Sequence, residues 1–578
     1  MNLTYFTCLN DIITYHQKHF NNKTLLNCLG SGKVVSSQEF CQEVNNIAWG
    51  LKQLPATQQN NMVAIYCYQG WQWLVCDLAI VSASLVSVPI FHNISQQNLQ
   101  YQLELTKAKI IITDKPDFAQ QYCQQYTIIT IGFACQGCLS FSELSQLGKT
   151  QNQGYQQLPK SPSDNLATIV FTSGTTNKPK GVMLSHGNLI SQIIDTSVFF
   201  PLSPQQKALS YLPLAHIFER MVMLFYLTQG VSIYFVDDIA KIPQYLKQVQ
   251  PNLFTTVPRL LEKVFNKIKQ QSQTGNLLSK ILLELTFNRA KNFHPSNKAS
   301  LLNSLLDLLL YKKLRAIFGG QVQTIICGGA SLPSEIEKFL HSIGLAVFCG
   351  YGLTESSPVL AANCPANYKL GTVGANFPSV SLQIAPDGEL LACGKNIMLG
   401  YFCQEAETKQ TLNDGWLYTG DLAEINNGFV KIIGRKKELL KTSNGKYVVA
   451  NHLQQMLQQQ ITGLLGSVII AEGKPFVAVL LFFEPESLPQ LQKQLGYVGE
   501  NFWQSSKLDN WPELNNWVEQ QIDIVNQQLD SWQQIKKFRI ITQPLSIEKG
   551  QITPSYKLKT HLLQQQFTNE IANFYETT

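Results

Sequence analysis

Strand-like and helix-like runs alternate from about residue 160 onward, and this alternation sets the first expectation about the fold. "LATIVFTS" reads as a strand, and "HGNLISQIIDTSVFF" as a helix after the intervening loop. "KALSYLPLAHIFERMVMLFYLTQGVSIYFV" reads strand, turn, helix, a break at Gly230, then strand. "NLFTTVPRLLEKVFNKI" is a strand stopped by Pro258 and followed by a helix. "VQTIICGGASLPSEIEKFLHSIGLAVFCGYGLTE" repeats the unit, with Ser331 as N-cap, Pro333 in the first turn and Gly344 at the C-cap. The pattern predicts parallel sheets covered by helices, an α/β architecture.

The texture changes after about residue 370. Asp387-Gly388 in "APDGELLACG", Asn427-Gly428 in "LAEINNGFVKIIG" and Asn444-Gly445 in "KTSNGKYVV" each sit between strand-like runs, which predicts hairpins and a smaller antiparallel, barrel-like region. The charged cluster "GRKKELLK", Gly434 to Lys441, marks a boundary. We therefore expect a large N-terminal domain over 1–435 and a small α+β domain over 436–578. Residues from about Gln270 to Leu310 read as a helical insert, and the tail after His561 as one polar helix.

Two runs test for a membrane span. "WLVCDLAIVSASLVSVPIF", from Trp73, contains Asp77 and is broken by Pro89, so it reads as a buried helix running into a strand. "LLNSLLDLLLYKKLRAIF", from Leu301, is amphipathic; core packing is the first reading and contact with a membrane surface the alternative. Charged residues are 15% of the 578, against a usual ~25%. The formal net charge of +6 with no strongly basic block excludes a nucleic-acid footprint and suits anionic ligands. The N-terminus lacks a basic and apolar signal pattern, and thirteen scattered cysteines suit a reducing, cytoplasmic setting. Cys135 and Cys138 form a C-x-x-C with no second pair, which reads as chance. Peripheral contact at the inner face of a membrane is retained as an option, as is a homodimer.

The candidate chemistry starts in "TIVFTSGTTNKPKGVMLSHGNL". Thr172, Ser173, Gly174, Thr175 and Thr176 follow a strand, and Lys178, Lys180 and Gly181 come next. Such a turn can wrap a phosphate, because glycine and small residues leave backbone N–H groups free to point inward and lysine adds charge. The spacing fails the P-loop pattern G-x-x-x-x-G-K-S/T, which excludes an ordinary P-loop ATPase. "YGLTESSP" puts Tyr351, Gly352, Thr354 and Glu355 on a turn after a strand: a ring to stack on a base, a hydroxyl for a phosphate, and a hard oxygen for Mg²⁺. "GWLYTGDLAEI" offers Asp421 for ribose hydroxyls, "GRKKELLKTSNGKYV" offers Arg435, and "ITPSYKLK" offers Lys557.

These segments, in this order from about residue 40 to 560, resemble the adenylate-forming enzymes, and "YLPLAHIFERM", "VPRLLEKVF", "CGGASLP" and "GRKKELLKTSNGKYV" resemble the long-chain fatty acid–CoA ligases among them. The resemblance implies ATP, Mg²⁺, coenzyme A and a fatty acid as ligands. It implies that Thr172 to Gly181 grips the β- and γ-phosphates with Lys180 as counter-charge, that Thr175 and Glu355 hold Mg²⁺, and that Thr354 bonds the α-phosphate. Gly328, Gly329 and Ala330 would wall the adenine with Tyr351 stacking, Asp421 would hold the ribose with Arg435, and His216 would orient the substrate carboxylate or stand behind it. Lys557 would bridge carboxylate and α-phosphate, and Lys437 would be the hinge on which a mobile small domain turns. Asn177 stands where glycine is common in the loop, "GKYVVANHLQ" lacks the usual proline and acid after the hinge, and Thr560 stands where a basic residue often follows. Two other outcomes stay open: a ligase that passes the acyl group to a carrier protein, and a nucleotide- or lipid-binding pseudoenzyme.

Overall fold

The computed structural model describes residues 3, 5–20, 22–151, 158–172, 178–274, 277–294, 301–483, 487–495, 512–541, 543–546, 549–552 and 558–576. The chain divides into two compact units. The larger is Met1–Ala385, Leu391–Thr419 and Ile425–Lys431; the smaller is Pro386–Leu390, Gly420–Glu424 and Ile432–Thr578.

The larger unit holds two big sheets. One has the strand order Gly400–Tyr401, Lys180–Ser185, Leu166–Thr172, Val86–Pro89, Met62–Tyr66, Ile110–Thr113, Thr127–Thr130 and Leu139–Ser140. From Leu166–Thr172 onward in this order each strand is parallel to the next, whereas Lys180–Ser185 pairs antiparallel with both Leu166–Thr172 and Gly400–Tyr401. The other sheet runs Ala375–Asn376, Val359–Ala362, Ala346–Gly352, Thr324–Cys327, Leu253–Thr256, Lys207–Ser210, Ser232–Phe235, Thr24–Cys28 and Val34–Ser36. Its centre is parallel and its edges antiparallel. Strands such as Met62–Tyr66, Ile110–Thr113 and Leu253–Thr256 are buried along their whole length, as expected of parallel strands covered on both faces.

The α/β expectation holds element by element, with three corrections. First, the helix His186–Phe199 does not follow the loop directly. Strand Lys180–Ser185 intervenes and pairs antiparallel with Leu166–Thr172, Val170 facing Val182 and Thr172 facing Lys180. Val182 and Leu184 pack into one core cluster and Met183 against another, so both faces of the strand are covered and it shows no polar alternation that would stand out beside the loop. The loop is thus a hairpin connection, and the helix start is closed by its own capping box between Ser185 and Asn188. Second, the N-cap position is Pro333 and not Ser331: helix Ser334–Ser342 starts after Pro333, whose fixed φ suits a helix entry, and Glu335 and Glu337 fill the first turn. Third, the tail is two helices, Thr560–Gln566 and Thr568–Asn573, broken where Phe567 turns into the core.

The polar residue that argued against a membrane span is the centre of a buried knot. Arg220 on helix Ile217–Gln229 donates from Nε and Nη2 to Asp77 on helix Trp71–Ser82, at 2.8 and 2.7 Å, and from Nη1 to Thr168 Oγ1 at 2.7 Å. Ser87 Oγ also donates to Asp77, and Thr168 Oγ1 donates to the Ser87 carbonyl, both at 2.7 Å. Two helices and two strands are tied together in this way, one of them the strand that delivers Thr172. Among the described residues no helix is long and apolar enough to cross a membrane.

Strands Val380–Ile384, Glu389–Gly394, Trp416–Asn426, Leu412–Asn413 and Phe429–Arg435 make a five-stranded half-barrel with turns at Asp387-Gly388 and Asn427-Gly428. Asn427 and Gly428 have φ of 54° and 78°, the pair a tight hairpin requires. In the smaller unit, Leu464–Ile470, Val477–Phe483 and Ile535–Ile541 form a three-stranded sheet. Val477, Val479 and Leu481 pack on one side with helices Ala450–Gln460 and Pro512–Asn526, and Ala478, Leu480 and Phe482 on the other with Leu563 and Phe567.

Candidate active site

Strand Ala346–Gly352 leads into the single-turn helix Thr354–Ser356, and the backbone there is tightly specified. A Cβ on Gly352 would lie 1.7 Å from the Pro358 carbonyl oxygen, so only glycine fits. Gln192 closes both polar groups of Val359, its Oε1 accepting from the N–H at 2.8 Å and its Nε2 donating to the carbonyl at 3.0 Å. Asn396 donates to the Ser356 carbonyl at 2.9 Å, and the Met398 N–H donates to the Glu355 carbonyl at 2.9 Å.

The Glu355 side chain, half-buried, accepts a 2.7 Å hydrogen bond on Oε1 from the Tyr401 hydroxyl. Burial, and then the Glu355 charge, push that hydroxyl well above the usual phenol range, so it stays a donor. Lys180 Nζ lies 4.8 Å from the centre of the same ring. A carboxylate and a cation are therefore held on one aromatic plate, next to the hairpin that opens at Thr172, the cross-strand partner of Lys180. Lys178 sits over Tyr101 at 5.4 Å.

A second group gathers at one end of the nine-stranded sheet. Gly328, Gly329 and Ala330 follow strand Thr324–Cys327, next to the strand that carries Tyr351. A Cβ on Gly328 would come within 2.9 Å of the Phe218 ring, and Gly329 has φ of +82°, so both positions favour glycine. His216 caps helix Ile217–Gln229: its Nδ1 accepts the Phe218 N–H at 3.2 Å, and its ring meets Phe91 edge-on at 6.5 Å. With Nδ1 accepting, the proton of the neutral ring is on Nε2.

In the smaller unit, Asp421 is nearly buried and Arg435 Nε lies 3.2 Å from its Oδ1. Beside them Lys436 contacts Asp387 at 2.6 Å and Glu389 at 2.7 Å, and the Gly420 N–H donates to Glu389 Oε1 at 2.8 Å. Ser173, Gly174, Thr175, Thr176 and Lys557 lie outside the described residues, as does the Lys437 side chain. Tyr401, Phe218 and Gln192 escaped the sequence reading. Tyr401 sits in "LGYF" with no periodic or motif signal, and only the fold brings it to Glu355.

The sequence model of the AMP-binding enzyme family matches residues 14–402. The chain belongs to the AMP-binding enzymes. It is 28% identical over 558 residues to the long-chain-fatty-acid–CoA ligase FadD15 of Mycobacterium bovis, covering 94% of this chain and 92% of that protein. It is 29% identical to long-chain-fatty-acid–CoA ligase 5 of Rattus norvegicus, covering 90% and 80%. Among solved structures it resembles ATP-bound MatB from Rhodopseudomonas palustris, with TM-score 0.71 and 20% identity over 97% of this chain and 99% of that one. It also resembles the anthranilate CoA ligase AuaEII bound to anthranoyl-AMP, with TM-score 0.72 and 16% identity over 99% and 100%. The fold of this AMP-binding enzyme is thus the adenylate-forming one: two mixed sheets, a half-barrel sheet and a small terminal α+β unit.

Proposed function

We propose that the protein activates a long-chain fatty acid in two steps. The carboxylate attacks the α-phosphorus of ATP, a P–O bond to the β-phosphate breaks, and acyl-AMP and pyrophosphate form. The thiol of coenzyme A then attacks the acyl carbon, AMP leaves, and a proton is released. The relatives named above supply the substrate class. The observation that carries the chemistry is the Lys180–Tyr401–Glu355 group beside the Thr172 hairpin.

The first step brings two anions together, so the protein's work is positioning and charge neutralisation. Lys180 would face the β- and γ-phosphates, with the hairpin from Thr172 through Ser173, Gly174, Thr175 and Thr176 around them. Thr354 would donate to the α-phosphate. Gly328, Gly329 and Ala330, kept free of side-chain bulk, would let adenine approach the backbone, with Tyr351 and Gly352 beside it. Asp421, held by Arg435, would accept from the ribose hydroxyls. His216, donating from Nε2, would fix the fatty acid carboxylate. Lys557 would bridge the two reacting anions, with the small unit turning about Lys437 between the steps.

Magnesium fits the residues present. Among the described residues no group of three or more His, Cys, Asp or Glu could hold a metal ion, whereas Glu355 offers one hard carboxylate with lone pairs beyond the Tyr401 bond. One carboxylate together with substrate phosphates is how Mg²⁺ is commonly bound, and Thr175 would add a second oxygen. When bound, the ion neutralises phosphate charge.

Exchange of labelled pyrophosphate into ATP tests the first step alone. We expect exchange that requires palmitate but not coenzyme A. Absence of exchange with fatty acids of every chain length would overturn the reading.

A further inference from the structure

Three thiols that the sequence keeps apart meet at one edge of the eight-stranded sheet, and the proposed reaction uses none of them. Cys135 and Cys138 lie between strands Thr127–Thr130 and Leu139–Ser140, and the Cys138 N–H donates to the Cys135 carbonyl at 3.1 Å. That bond closes a four-residue turn, which holds the two Cα atoms within about 7 Å, the reach of a disulfide. Cys123 follows helix Pro116–Tyr122. Its thiol donates to the Gln120 carbonyl at 3.6 Å, and the Cys138 thiol donates to the Ala119 carbonyl of the same helix at 4.0 Å. A Cβ on Gly137 would lie 3.8 Å from Cys123 Sγ. The Cys138 thiol is in hydrogen-bond contact with both Cys135 and Cys123. The C-x-x-C of the sequence thus gains a third thiol from the other side of strand Thr127–Thr130 along the chain.

Exposure separates this group from other close thiols. Cys123, Cys135 and Cys138 are half-buried, so a small molecule in water reaches them. Cys327 and Cys349 also touch, as cross-strand partners, but they are buried, and buried thiols are inert. Burial, and then contact with Cys135 and Cys123, push the Cys138 thiol up, because a thiolate beside a thiolate is repelled. Cys138 therefore keeps its proton until a neighbour's charge is removed, and a mixed disulfide on Cys135 removes it. The group stands at the opposite edge of the sheet from Lys180–Ser185 and Gly400–Tyr401, the strands that carry Lys180 and Tyr401. Chemistry at these sulfurs is thus separate from the proposed active site.

We propose that Cys135 and Cys138 are a thiol–disulfide exchange site for small-molecule disulfides, with Cys123 placed to take over the bond to Cys138. The Cys135 thiolate attacks one sulfur of the small disulfide and releases a small thiolate. Cys138 then attacks Cys135 Sγ and releases the second. The two protein thiol protons end on the two released thiolates, two electrons pass to the small disulfide, and a Cys135–Cys138 bond remains. Attack of Cys123 on Cys138 Sγ moves that bond without further oxidation and frees Cys135. The inference does not rest on the ligase reading, since the bond is read without ATP or fatty acid. The test is exposure of the reduced, folded full chain to glutathione disulfide, then alkylation and mass spectrometry of the tryptic peptide over 110–149, which holds these three cysteines and no other. We expect the peptide to lose two hydrogens and to alkylate at one thiol instead of three, with dithiothreitol restoring all three. Cys123→Ser should still close the Cys135–Cys138 bond, whereas Cys138→Ser should stop at a glutathione adduct. Three alkylated thiols in the wild-type peptide, or an adduct that persists there unresolved, would overturn the proposal. So would a Cys138→Ser chain that closes an internal bond as the wild type does.

Discussion

At the residue scale, the arrangement around Glu355 separates chemistry from support. Glu355→Gln keeps an acceptor for Tyr401 but removes the charge that would hold the cation, so we expect pyrophosphate release to fall by about 100-fold or more. Tyr401→Phe leaves the carboxylate charged but unanchored, and a loss of about tenfold, partly recovered at higher Mg²⁺, is expected. Steady-state rates against Mg²⁺ concentration check both, and equal losses in the two variants would contradict the division of roles. "YGLTESSP" was legible because a ring, a hydroxyl and a carboxylate crowd one turn. Tyr401 was not, because its value lies in a contact across 46 residues that no local pattern encodes.

At the scale of elements, periodicity was readable wherever a segment was long. Strand Leu166–Thr172 and helices His186–Phe199 and Ile217–Gln229 follow from the sequence, while the six-residue strand Lys180–Ser185 was masked by the loop before it. What holds these elements in place is polar and could not be paired from sequence. Asp77→Asn should leave the buried Arg220 charge uncompensated and cost about 3–5 kcal/mol by urea unfolding. A cost under about 1 kcal/mol would show that the knot is dispensable. Glu219, on the same helix as Arg220, accepts from Ser210 Oγ at 2.6 Å, and its Oε2 has no partner among the described residues. Burial pushes its pKa from 4.5 up to about 8. The folded state thus holds a proton that the unfolded chain gives up, so this stability is full below 4.5 and is lost as pH rises to about 8. Unfolding midpoints of Glu219→Gln should fall less steeply than wild type across that window; parallel profiles would contradict this.

At the scale of the whole molecule, the boundary cluster "GRKKELLK" lies at the start of the long terminal segment of the smaller unit, from Ile432. The two short excursions of that unit, Pro386–Leu390 and Gly420–Glu424, were not legible, because they join it through sheet pairing distant in sequence. We propose that the smaller unit turns about Lys437 to present Lys557 for adenylation. Lys557→Ala should then lower fatty-acid-dependent pyrophosphate release by about 100-fold or more, yet leave thioester formation from added acyl-AMP within about threefold. Equal loss in both half-reactions would argue against two orientations.

Acyl-AMP made by this enzyme is passed to coenzyme A. The most direct measurement is the product formed from ATP, Mg²⁺ and palmitate, with and without coenzyme A, followed by mass spectrometry. Bound palmitoyl-AMP is expected without coenzyme A, and palmitoyl-CoA with an equal amount of AMP over many turnovers when it is present. Palmitoyl-AMP that persists unchanged in the presence of coenzyme A would contradict it.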